Sequence, residues 1–329
     1  MILSFDKVRQ ITRGVSFAEE KDGYILFNRF SKPQLEAYKV QTRSDGFTKN
    51  SFASSGVRLE FTTNSKTLSL KGRVIGTTSR KIIYFDVYVN NALASHQGFD
   101  DNGEHEIDFT FELGEGYKDV RVYFPWSART EISAVEVDDK SMVAPMPQKP
   151  LMISFGDSIT QGYDAVYPSL SYVTVLADRM GVELINKGIG GERFCPDIIE
   201  IPEKADPKYI TVAYGTNDWS KLAPEVFEAR CREFYEKLSA QFPSAKIFAV
   251  TPLWRADITE KLEEKGDFMR IDRFIKEVCC KLPNVTVIEG YDLTPKLPEF
   301  YSDLRLHPND TGFLIYGNNL YEKISEYLD

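Results

Sequence analysis

The 329-residue chain reads as an α/β protein in two parts: an N-terminal antiparallel β-sandwich of jelly-roll-like character, then a doubly wound parallel sheet. Two textures predict this. Up to about residue 140, apolar residues alternate in short runs separated by turn residues, whereas from Leu151 onward apolar runs alternate with amphipathic helical patterns. The length agrees, because at roughly 100 to 200 residues per domain the chain divides into two cores.

In the first part the alternating runs cover residues 24–30, 57–62, 68–74, 82–89, 107–113, 120–126 and 132–137. Thr63-Asn64-Ser65, Asn90-Asn91, Asp101-Asn102-Gly103 and Gly114-Glu115-Gly116 supply turns between them. Period-two alternation buries one face of each strand, and with hardly a helical period among them the strands pair as a sandwich. Residues 138–150 carry three prolines and read as a linker. The expected boundaries are a sandwich at 1–140, a linker at 141–150 and a second domain at 151–329. In that second domain, strands at 151–155, 183–189, 209–214, 246–251 and 285–289 alternate with helices at 171–180, 224–241, 267–282 and 310–327. Pro224 suits a first helical turn.

Composition narrows the function. A formal charge of -9 with no basic stretch argues against a nucleic-acid or anionic-membrane partner. No window approaches the ~20 apolar residues of a membrane span, and the N-terminus lacks the apolar core of a secretory signal, so a cytoplasmic protein is expected. Cys195, Cys231, Cys279 and Cys280 show no metal-ligand spacing. Neither a metal nor a cofactor is expected, and no feature sets the oligomeric state.

In an open parallel sheet, ligands bind beyond the carboxyl ends of the strands. The residues there are Gly156-Asp157-Ser158 after the first strand, Gly188-Ile189-Gly190-Gly191 after the second, and Gly215-Thr216-Asn217-Asp218-Trp219 after the third. A long loop carrying Asp303 and His307 follows the fifth. Each end offers a group useful in ester hydrolysis. Ser158 is the candidate nucleophile and His307 the base that takes its proton and returns it to the leaving alcohol. The Ser158 amide, the Gly191 amide and the Asn217 side chain are candidate donors to the developing oxyanion.

The segments Ile153 to Gly162, Asn186 to Gly191, Tyr214 to Asp218 and His307-Pro308-Asn309 together resemble the four blocks of the SGNH, or GDSL-type, hydrolase superfamily. The resemblance implies that Ser158 is the nucleophile, that Gly191 and Asn217 complete the oxyanion hole with the Ser158 amide, and that His307 is the base. It departs at one point. The family usually places its aspartate three residues before the histidine, where this chain has Leu304, and Asp303 stands four before. Two arrangements are open: a one-residue bulge brings Asp303 to the far imidazole nitrogen, or the site is a Ser-His dyad.

The order of sandwich then hydrolase is similar to that of the acetylesterases of carbohydrate esterase family two. That likeness implies removal of acetyl groups from acetylated oligosaccharides. Tyr163, Tyr167, Trp219 and Trp254 fall near strand ends and offer flat faces for a sugar ring. Two other readings stand beside it, a short-chain lysophospholipase or thioesterase and, from another class, a non-catalytic carbohydrate-binding protein.

Overall fold

The structure, a computed structural model, describes residues 1–40, 45–201 and 205–328. Among these residues two antiparallel sheets face one another in the N-terminal part. One runs in the order Thr12–Arg13, Arg58–Thr63, Lys118–Tyr123, Ile83–Val89 and Ala92–Phe99, with Val143–Pro145 also paired to Arg58–Thr63. The other runs Phe17–Lys21, Tyr24–Asn28, Ala128–Val137, Thr67–Gly76 and Glu104–Glu112. Alternation does what it predicts. In Glu104–Glu112 the side chains of Ile107, Phe109 and Phe111 are buried while Glu106, Asp108 and Thr110 point out. The inward rings meet across the sandwich, Phe85 edge-on to Phe109 at 5.8 Å. A bulge between Ile132 and Ala134 breaks one ladder, and there only glycine fits: a Cβ on Gly72 would stand 2.1 Å from the Glu131 carbonyl oxygen.

Three short helices, Phe5–Ile11, Lys32–Val40 and Asp45–Ser51, lie where periodicity predicted none. The first depends on tertiary anchoring more than on propensity. Ser4 caps it by accepting from the Lys7 amide, and only Val8 and Ile11 are buried. The strand Ala92–Phe99 also escaped, because none of its side chains is buried and they show no alternation. Its presence is set by the turn, where Asn90 and Asn91 both take positive φ, 48° and 67°, as a primed two-residue hairpin requires. Val143–Pro145 makes a ladder inside the stretch read as linker.

The C-terminal sheet is parallel, in the order Glu183–Gly188, Leu151–Gly156, Tyr209–Ala213, Lys246–Val250, Val285–Ile288. Met152 and Leu184 face the helices Tyr172–Met180 and Asp310–Ser325, whereas Ile153 and Ile185 face Pro224–Gln241 and Met269–Cys279. Both faces are thus covered, as a doubly wound sheet demands. Strand order reverses at Leu151–Gly156, so the topological switch point lies at the carboxyl end of that strand. Among the described residues no helix is long and apolar enough to cross a membrane.

The two parts are joined by a polar seam centred on Arg29, which is fully buried. Its guanidinium donates to the carbonyls of Ala53 (2.7 Å), Asn50 (2.7 Å), Asn186 (2.6 Å) and Gly188 (2.8 Å). Burial pushes it down to about 9, still charged at neutral pH. The last two carbonyls belong to the strand that leads into Gly190-Gly191, so a sandwich residue fixes a hydrolase strand. Arg29→Met leaves four buried acceptors without their donor and is expected to lower the unfolding free energy by about 3 to 5 kcal/mol in urea melts. Lys32→Ala, which breaks an exposed ion pair to Glu19 and removes the ammonium from over the Phe17 ring, is the control and should shift it by less than about 1 kcal/mol.

Candidate active site

The Leu151–Gly156 strand ends at a position that only glycine can occupy, since a Cβ on Gly156 would lie 2.0 Å from Thr160 Oγ1. The chain then turns into a single helical turn, Ser158–Gln161. Asp157 caps it, its Oδ1 accepting from the Ile159 amide at 2.9 Å. Ser158 is the first helical residue, 6% exposed, with its Oγ 2.9 Å from His307 Nε2.

His307 lies on a tight loop closed by an isolated bridge between Tyr301 and Pro308. Asp303 organises this loop. Its Oδ1 accepts from the amides of Arg305 (3.0 Å), Leu306 (2.7 Å) and His307 (3.1 Å), and its Oδ2 lies 2.9 Å from His307 Nδ1. Burial pulls the Asp303 carboxyl up, but the His307 ring and these amides outweigh it and hold the group well below the usual carboxylate range. The extra residue between acid and imidazole is Leu304, an exposed side chain at φ 55°. That left-handed step takes up the added length.

After the Glu183–Gly188 strand, Gly191 takes φ 80°. A Cβ on its neighbour Gly190 would stand 2.5 Å from the Tyr163 hydroxyl, so this loop is built for close backbone approach. The Gly190 amide donates to Gln161 Oε1 at 2.7 Å, tying the loop to the Ser158 helix. Asn217 lies in the short helix Thr216–Lys221, its Nδ2 donating to the Glu192 carbonyl (3.1 Å) and to Asp157 Oδ2 (3.3 Å). Strand ends far apart in sequence therefore meet around one serine.

Tyr163 is half-buried, with its ring 5.7 Å from the His307 ring, and Trp126 of the sandwich packs on it at 5.0 Å. Trp254 is partly exposed and contacts Tyr301 on the histidine loop at 5.5 Å. Trp219 must be corrected. It is 0% exposed, edge-on to Phe268, and donates from Nε1 to the Gly266 carbonyl, so its ring is core and cannot reach a ligand. Tyr167 stacks on His96 at 4.1 Å, between the two parts, instead of facing the site.

Two residues near the imidazole carried no signal in the sequence, Asp164 and Arg80. Asp164 Oδ2 lies 3.7 Å from His307 Nδ1, and Arg80 of the sandwich bonds both Asp164 oxygens. Asp164, Asp303 and His307 offer ligand atoms within 4.8 Å of one another. Each is already engaged, Asp164 by Arg80 and His307 by Ser158 and Asp303.

Two further carboxyls lie behind the serine. Burial pushes Asp157 up to about 6, opposed by the Ile159 amide, and pushes Asp218 up to about 7, opposed by the Phe194 amide. Asp218 Oδ2 has no hydrogen-bond partner among the described residues. A carboxyl raised on folding stabilises fully below its ordinary value of 3.8, and that contribution is lost as pH climbs toward 7. Asp218→Asn is therefore expected to unfold at a higher temperature than the parent at pH 8, with the gap closing by about pH 4. A gap independent of pH in calorimetric scans would contradict the assignment.

Residues 154–314 match the model of the GDSL-like lipase/acylhydrolase family. A search of curated proteins returned no match. Among solved structures, the chain is similar to the salicylyl-acyltransferase SsfX3 of a tetracycline biosynthetic pathway (TM-score 0.80, 20% identity, 96% of this chain and 94% of that one). It is similar also to a putative GDSL-like lipase from Bacteroides ovatus (0.78, 20%, 97% and 96%) and to a family two carbohydrate esterase from Cellvibrio japonicus (0.67, 14%, 97% and 96%). At these identities the likeness establishes the fold. With the family match on the segment that carries Ser158, Gly191, Asn217 and His307, residues 154–314 form a GDSL-like lipase/acylhydrolase domain, which supports a carboxylic ester hydrolase, and the chain as a whole shares the two-domain fold of the family two carbohydrate esterase.

Proposed function

We propose that the protein is a serine esterase that removes short acyl groups, acetyl foremost, from acetylated oligosaccharides. The observation that carries this reading is the unbroken chain from Ser158 Oγ to His307 Nε2 (2.9 Å) and from Nδ1 to Asp303 Oδ2 (2.9 Å). Ser158 Oγ attacks the ester carbonyl carbon while its proton passes to Nε2. The imidazolium then protonates the leaving sugar oxygen, and the acyl-enzyme is hydrolysed by a water that His307 deprotonates in turn. Asp303 holds the ring with Nδ1 protonated and stabilises the imidazolium.

Charge on the carbonyl oxygen is met by the amides of Ser158 and Gly191 and by Asn217 Nδ2. The longer of the two Asn217 bonds, to Asp157 at 3.3 Å, is the one an oxyanion replaces. Ser158 is 6% and His307 9% exposed, and such limited access favours a short acyl group. Tyr163, beside the His307 ring, and Trp254, against Tyr301 of the histidine loop, are both partly exposed, which supports a sugar alcohol. Support also comes from two relatives by fold, a Clostridium thermocellum family two carbohydrate esterase in complex with cellohexaose and an acetyl xylan esterase from Butyrivibrio proteoclasticus.

The test is acetate release from acetylated xylo- and manno-oligosaccharides, alongside p-nitrophenyl acetate and butyrate. Ser158→Ala should abolish turnover, Asp303→Ala should lower kcat by about 10³ to 10⁴, and Asn217→Ala by about 10² to 10³. Activity surviving in Ser158→Ala would refute the mechanism, and butyrate turning over as fast as acetate would refute the acyl preference.

A further inference from the structure

The sandwich reaches the catalytic histidine through Arg80. This residue lies in the loop after the Thr67–Gly76 strand, and that loop is tied down. The Thr77 amide and hydroxyl both donate to the Ser127 carbonyl at 2.9 Å, and the Arg80 amide donates to Thr78 Oγ1 at 3.1 Å. The guanidinium forks onto Asp164, Nε to Oδ1 and Nη2 to Oδ2 at 3.3 Å, and lies 5.4 Å from the centre of the Tyr163 ring. Bonding to Asp164 holds the guanidinium above its ordinary value.

Asp164 is held as tightly. It takes φ 74°, an uncommon conformation for a residue other than glycine, and its side chain is 8% exposed. Its Oδ2 lies 3.7 Å from His307 Nδ1, beyond hydrogen-bond length, while Asp303 occupies that nitrogen at 2.9 Å. His307 thus faces two carboxylates on one side. Left uncompensated, the second would stabilise the imidazolium further and compete with Asp303 for the Nδ1 proton, making the ring a poorer base at neutral pH.

We propose that Arg80 is a positioning residue: by clamping and neutralising Asp164, it leaves His307 governed by Asp303 alone, so that the sandwich domain completes the electrostatics of the catalytic site. The proposal rests on His307 being the base. The charged and titratable groups around that ring are Asp303 and Arg305 on its own loop, Asp164 and Tyr163 after the serine helix, Asp157 at the end of the central strand, and Arg80 from the sandwich.

The signs of the expected effects are opposed. In Arg80→Gln the acid limb of kcat/KM for p-nitrophenyl acetate should move to higher pH by about one unit. In Asp164→Asn, which leaves Arg80 as an uncompensated cation, it should move to lower pH. The double variant should return to the parent limb, and Arg80→Lys, which keeps the charge, should stay near it. A parallel NMR titration of the ring protons reads His307 without turnover, and only three histidines need assigning. It should show the same three displacements. Shifts of the same sign in the two single variants, or a limb and ring titration unmoved in both, would overturn the proposal. If the parent releases no acid from any ester while the ring displacements appear, the ester reading fails and the electrostatic clamp stands.

Discussion

The guanidinium of Arg29, buried between the two parts, has no carboxylate partner among the described residues. Arg29 satisfies its donors on backbone carbonyls, two within its own domain and two on the Glu183–Gly188 strand. A carboxylate partner would have neutralised the charge but could have swung on its own side chain; carbonyls cannot move without moving the main chain. The Phe30 ring, 5.0 Å from the guanidinium, adds a polarisable face at that desolvated spot. From there the seam spreads to the segments that carry Ser158 and Gly191. Asn186 Nδ2 donates to Ser55 Oγ and to the Thr160 carbonyl, Ser55 Oγ donates to the Gln161 carbonyl, and Gln161 receives the Gly190 amide. The serine helix and the glycine loop are therefore braced against one another through the sandwich, the preorganisation that oxyanion stabilisation requires.

What could be read from the sequence follows from the range of the interactions involved. Strand alternation is a local signal, and where both faces are decided by burial, as in Glu104–Glu112 or the five parallel strands, it located the elements within a few residues. The Phe5–Ile11 helix and the edge strand Ala92–Phe99 carry weak local patterns, and are set by a cap and by a turn respectively. Ser158, Gly191, Asn217 and His307 could be named because they follow strand ends, which topology brings to one rim. Trp219 follows a strand end too, yet a helical turn carries its ring into the core. Arg80 and Asp164 lie 84 residues apart in sequence and meet only because two domains dock, a relation that no local pattern encodes.

The spacing of Asp303 and His307 shows how backbone conformation can substitute for sequence register. With one residue more than usual between them, the loop would carry the carboxylate past the imidazole if every residue stayed in the right-handed or extended regions. Leu304 at φ 55° reverses the chain locally, and the three amides that follow converge on Asp303 Oδ1. One oxygen builds the loop and the other reaches the ring. The left-handed leucine is unfavourable by roughly 1 to 2 kcal/mol, and three charge-assisted hydrogen bonds offset that.

The carboxyls around the serine are sorted by their donors. Asp303 receives three amides and faces the imidazole, so it stays charged where a negative charge favours the imidazolium. Asp157 accepts from the Ile159 amide and, at 3.3 Å, from Asn217, and Asp218 accepts from the Phe194 amide, but burial outweighs these donors and pushes the two carboxyls up to about 6 and about 7. Both are neighbours of Asn217, the proposed oxyanion donor, where a full negative charge would oppose that role. A third carboxylate, Asp164, stands too close to the histidine for burial alone to silence it, and the sandwich supplies Arg80 as its counter-charge. Negative charge is thus held firmly at Asp303 beside the imidazole and less firmly at Asp157 and Asp218, a polarity in keeping with the charge separation of the proposed acyl transfer.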